Sequence, residues 1–139
     1  MNPLKEEPEK PLVVLVHGRS FFRGWMERSL GEKFRLHVFS RFDEALAFVR
    51  STSHLDVLIT ELDIAFSVMG GCNIAREVSQ RFPKSSILVF SNGASDDHRF
   101  MMFHDMKSVR FLSKPFDAFF LVRRVKDAMA LAQKGKNES

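Results

Sequence analysis

The sequence predicts a doubly wound α/β domain, a five-stranded parallel sheet in the order 2-1-3-4-5 with helices on both faces. Three observations predict it. Short continuous apolar runs, LVVLV at 12–16, VLIT at 57–60 and ILVF at 87–90, read as strands buried on both faces. Between them, apolar residues recur at helical spacing. Strand and helix alternate five times, and right-handed crossovers turn that alternation into a parallel sheet.

The elements follow in order. The first strand is bounded by Pro11 and by His17-Gly18. Phe22, Trp25, Met26 and Leu30 then give a helical stripe, with Ser20 as its cap and Gly31 as its stop. The stretch 34–39 (FRLHVF) alternates apolar and polar residues and fits an outer strand. Phe42, Ala45, Leu46 and Val49 mark a second helix. After the VLIT strand, a loop of small residues leads to Gly70-Gly71, and Ile74, Ala75, Val78 and Phe82 mark a third helix ending before Pro83. The ILVF strand runs into the turn signal Ser91-Asn92-Gly93. Ser95 caps a predicted fourth helix carrying Phe100, Met101, Phe103 and Met106. A fifth strand at 109–112 ends at Ser113-Lys114-Pro115, and a last helix over 116–133 carries the stripe Leu121, Val122, Val125 and Met129.

With 139 residues, the chain holds one compact domain, expected over 11–133 between a charged, proline-containing lead-in at 1–10 and a polar tail at 134–139. No apolar run approaches the roughly 20 residues that cross a bilayer, so no membrane association is expected. The single cysteine, Cys72, excludes an internal disulfide framework and suits a cytoplasmic location. The net charge of +4 is spread over the chain, with its densest cluster at Arg123, Arg124 and Lys126. Such a cluster is usually a solvated helix face, so nucleic acid is not expected as a partner of this domain alone.

In an open parallel sheet, sites form where strand C-termini meet at the topological switch point. That brings together His17-Gly18-Arg19, Glu61-Leu62-Asp63, Ser91-Asn92 and Lys114-Pro115. These segments resemble the receiver domains of two-component response regulators, over nearly the whole of 12–133. Asp56-Val-Leu-Ile-Thr-Glu61-Leu62 is similar to the strand that leads into the phosphorylated aspartate. Phe111-Leu-Ser-Lys114-Pro115-Phe116 is similar to the strand that delivers a lysine before a cis-peptide proline. Ile87-Leu-Val-Phe-Ser91-Asn92 places a hydroxyl at the end of strand four. The resemblance implies the flavodoxin-like receiver fold.

It also implies a chemistry. In receivers, paired acids after strand one, the acceptor aspartate and a backbone carbonyl hold Mg²⁺, which takes oxygen ligands in octahedral geometry. The metal offsets charge on the incoming phosphoryl group, and the lysine and hydroxyl bind the product. Here His17 and Gly18 stand where the acids belong, Arg19 follows with the opposite charge, and Glu61 replaces the acceptor. The expectation is a degenerate receiver without catalysis, metal or cofactor, acting as a protein-interaction module. Two alternatives accompany it. Asp63 serves as a displaced, Mg²⁺-dependent acceptor, or the chain is the receiver part of a longer DNA-binding regulator.

For Glu61 two readings stand. Its extra methylene carries the carboxylate toward the place of a phosphoryl oxygen, where it pairs with Lys114 and accepts from Ser91, or it is a remnant of a lost acceptor. A lone His17 fits packing or hydrogen bonding better than metal ligation, because zinc takes three or four donors. Ser91 and Phe111 match the family's switch pair; without a phosphoryl trigger, Phe111 is expected as a fixed core residue. Phe100, Met101, Phe103, Phe119 and Phe120 exceed what one face of each of the last two helices buries. They predict an association surface on helix four, strand five and helix five, for a signalling protein or a second copy in a dimer.

Overall fold

The computed structural model describes residues 10–18, 20–64, 69–91, 98–113 and 118–138, without the side chains of 20–23, 91, 98–100, 113, 118–119 and 131–138. Its sheet has five parallel strands in the predicted order: β2 (Arg35–Phe39), β1 (Leu12–Val16), β3 (Val57–Glu61), β4 (Ser86–Ser91) and β5 (Val109–Ser113). The register sets Val16 beside Thr60 and Glu61 beside Phe90, which aligns the strand C-termini along one edge.

Strand parity sorts the core into two layers. Val14, Val16, Leu58, Ile87 and Val89 face α2 (Phe42–Ser51) and α3 (Gly70–Arg81). Val13, Leu15, Val57, Ile59, Leu88 and Phe90 face α1 (Ser20–Gly31) and α4 (Ala118–Glu138). The middle strands carry the continuous apolar runs Leu12–Val16, Val57–Ile59 and Ile87–Phe90 because both their faces are covered. Each such side chain contributes roughly 1.5–3 kcal/mol on burial, so the sheet is the main source of stability. Cys72 is buried in the first layer, a packing residue.

At the foot of the sheet, polar groups tie the strands. Asp56 Oδ2 accepts from Leu12 N at 2.9 Å and lies 2.8 Å from His54 Nε2. Ser86 Oγ donates to the Ala128 carbonyl at 2.8 Å, fixing α4 against β4.

Two expectations are corrected. The segment between β4 and β5 is a 3-10 helix over His98–Phe103, not an α-helix. Phe103 and Met106, three apart, are both buried, while Met101 and Met102 before them and His104 and Asp105 between them are exposed. A period of three presents that pattern, and the i→i+3 bonds from His104 N to Met101 O and Met106 N to Phe103 O match it. Arg76 on α3 holds this segment down, donating to Asp105 Oδ2 at 2.7 Å and to the Met102 carbonyl at 3.1 Å. Its guanidinium holds the Asp105 carboxyl below the usual aspartate range. The second correction is at the C-terminus, where α4 continues through Glu138 and takes in most of the expected tail. The expected lead-in lies outside the described residues except for Lys10. No described helix is long and apolar enough to cross a membrane.

Candidate functional site

The end of β1 and the end of β3 are neighbours on the face that carries α1 and α4. His17 continues the row Val13, Leu15, and Glu61 continues the row Val57, Ile59; parallel register places the two side by side. Their side chains meet. His17 Nδ1 lies 3.2 Å from Glu61 Oε2, with the imidazole fully buried and the glutamate 15% exposed. The His17 ring also packs on Phe90, centroids 5.4 Å apart, and its backbone N donates to the Phe39 carbonyl. The Glu61 carboxylate thus lies against a buried imidazole.

Gly18 is next to this pair and has no room for a side chain. A Cβ built there falls 2.6 Å from Ile64 Cγ2, so a branched apolar group fills the space an acid would need. Asp63 Oδ1 accepts a 2.7 Å hydrogen bond from Met69 N, just before α3. Met69 takes a left-handed conformation with φ of 65°. It delivers Gly70 and Gly71 against β3, and Gly71 N donates to the Leu62 carbonyl at 2.9 Å. A Cβ at Gly71 would fall 2.1 Å from the Glu61 carbonyl oxygen, so only glycine allows this helix to start so close to the strand.

These residues do not fit a magnesium ion. The position of the first acid holds a buried imidazole, the second is blocked by Ile64, and Asp63 spends an oxygen on the backbone of Met69. Among the described residues no three His, Cys, Asp or Glu side chains gather into a metal-binding group.

The predicted site residues are therefore partly assembled. His17, Gly18 and Glu61 come together, and Asp63 binds the Met69 amide. Arg19 and Lys114 lie outside the described residues, as does the expected Glu61–Lys114 contact; Ser91 is placed by its backbone, beside Ser113. The His17–Glu61 pair was not anticipated, although strand parity carried its signal.

The predicted association surface is also altered. Phe103 is buried at 3% exposure and belongs to the core, because the three-residue period turns it inward. Phe111, expected in the core, is 36% exposed, because β5 is an edge strand with one flank uncovered. Met101 and Phe120 are exposed as expected, at 74% and 43%. The side chains of Phe100 and Phe119 lie outside the described residues.

No protein-family profile and no curated protein matches the sequence. Solved structures do match the fold. The signal receiver domain of an HD domain-containing protein from Pseudomonas fluorescens superimposes with a TM-score of 0.78 at 17% identity, covering 99% of both chains. A response regulator receiver protein from Sinorhizobium medicae gives 0.77 at 18%, over 89% of this chain and 98% of that one. A CheY-like response regulator receiver domain protein from Methanospirillum hungatei gives 0.78 at 12%, over 91% and 99%. The chain has the flavodoxin-like fold of response-regulator receiver domains.

Proposed function

We propose that this chain is an atypical receiver domain, a cytoplasmic protein-interaction module in two-component signal transduction that is neither an enzyme nor a phosphate acceptor by the aspartyl route. The observation that carries the proposal is the Glu61–His17 pair. A carboxylate bound to a buried imidazole is a poor ligand for a hard divalent ion, and without that ion nothing offsets the charge of an incoming phosphoryl group. Ile64 over Gly18 supports the same reading from the steric side. Signal output then depends on association, through the surface of the 3-10 helix, β5 and α4, with a signalling protein or a second copy. Incubation with acetyl phosphate and Mg²⁺, followed by intact-mass analysis, tests the reading beside a receiver with its full acid set. The control gains a phosphoryl group and this chain does not. A labile phosphoryl group on Glu61, or one on Asp63 that the Asp63→Asn variant loses, would overturn the proposal.

A further inference from the structure

We infer that β2, the edge strand at the far side of the sheet from β5, pairs antiparallel with β2 of a second copy of this chain. Two domains then share one continuous sheet about a two-fold axis at His37. This contact is separate from the association surface of the 3-10 helix, β5 and α4.

β2 pairs with β1 alone. Arg35 N donates to the Pro11 carbonyl at 2.8 Å, and the Phe39 carbonyl accepts from His17 N at 3.0 Å. In a parallel ladder alternate residues turn their backbone groups to the neighbouring strand, so Arg35, His37 and Phe39 face β1. Leu36 and Val38 therefore turn N–H and C=O toward the open edge. Edges are ordinarily protected by proline, lysine, a bulge or a covering element. β2 (RLHVF) holds no proline or lysine, its register with β1 is unbroken, and every residue in it is at least partly exposed. Half-buried apolar groups flank it, with Trp25, Leu36 and Val38 on the α1 side and Phe39 and Phe48 on the α2 side.

The edge is self-complementary. Antiparallel pairing centred on His37 sets Leu36 opposite Val38 of the second copy, and each exchanges N–H and C=O with the other. No other two-fold register uses the outward groups of both residues without leaving the strand. His37 then meets its own copy across the axis, and Arg35 lies opposite Phe39.

The charges favour the same arrangement. On the α2 side of the edge, residues 35–51 are all described. Arg41 and Asp43 pair with each other at 2.7 Å, and the His37 ring stacks on Phe48 with centroids 4.5 Å apart. Glu44, one turn before Phe48, is on the same flank of α2 and exposed. α2 begins just beyond the end of β2 and runs back along it, so Glu44 lies toward the Phe39 end and Arg35 at the opposite end. A two-fold axis brings Arg35 of each copy toward Glu44 of the other. A second copy thus matches both the backbone pattern and the charges of this edge.

Sedimentation of the whole chain over a range of concentrations, with amide hydrogen exchange at Leu36 and Val38, tests the inference. The expected result is a dimer at high concentration, with exchange at both amides slowing as it forms. Val38→Pro removes an N–H that β1 does not use and should weaken the dimer roughly tenfold or more. Should circular dichroism show that variant unfolded, His37→Glu takes its place, setting two carboxylates across the axis. Arg35→Glu should weaken the dimer roughly threefold, and adding Glu44→Arg should restore it. A chain that stays monomeric would overturn the inference, as would amides equally protected at every concentration. So would species that grow beyond a dimer, as head-to-tail joining gives, or a dimer that Phe120→Ser dissociates and the β2 variants do not.

Discussion

Replacing His17 by leucine removes the imidazole that lies 3.2 Å from the Glu61 carboxylate while keeping an apolar group against Phe90. A hydrogen bond to a charged group contributes about 1.5–3 kcal/mol. Because 15% of the Glu61 side chain still meets water, solvent replaces part of the loss. The cost attributable to the pair then falls near the lower end, about 1–2 kcal/mol. Glu61→Leu removes the other partner and leaves the fully buried imidazole in place. The double variant loses the interaction only once, so its cost should be smaller than the sum of the singles by about 1–2 kcal/mol. For a domain of this size that coupling corresponds to roughly 3–7 °C in Tm. Urea unfolding of the four proteins measures it, with unchanged m-values showing that the unfolded ensembles are comparable. Single costs that add to within about 0.3 kcal/mol would refute the argument that the pair is an energetic unit.

Three further outcomes are expected. Gly71→Ala places a methyl group against the Glu61 carbonyl and costs about 1–3 kcal/mol despite its gain in helix propensity, whereas Gly31→Ala, with open space around it, does not destabilise; thermal unfolding compares them. Asp63→Ala removes the acceptor for Met69 N, costs about 1 kcal/mol and speeds hydrogen exchange at the Met69 amide, an effect that Asp63→Asn largely avoids. The Arg76–Asp105 pair lowers the Asp105 pKa on folding, so the unfolded chain binds the proton more tightly. Its stabilisation is present above the ordinary aspartate range and is lost as pH falls through the lowered folded value. Arg76→Gln should therefore flatten the decline in stability below about pH 4 in an acid titration of the urea midpoint.

Sheet order was legible in the sequence because runs such as LVVLV and ILVF suit only strands covered on both faces, and crossovers of one hand leave few arrangements. The segment after β4 was misread because Phe100, Phe103 and Met106 fit a period of three as well as they fit an α-helix. Phe111 was misplaced because apolar character does not tell a strand with one open flank from a covered one. For the site, the sequence placed His17, Gly18 and Glu61 together at the ends of neighbouring strands, and the structure does the same. The partner of Glu61 depended on the register between β1 and β3, which local sequence does not specify. The contact of Ile64 with the space above Gly18 is a tertiary fit with no local signature.

The bonds from Asp63 to Met69 and from Leu62 to Gly71 close the stretch between β3 and α3 at its base. A loop fastened at its neck passes little of its own length to the elements on either side, since lengthening it costs only the slow logarithmic growth of closure entropy. Residues could be added between Asp63 and Met69, including a fluorophore-bearing insert, without moving the start of α3 or the row that ends at Glu61. These two bonds tie the start of α3 to the end of β3 independently of what lies between them.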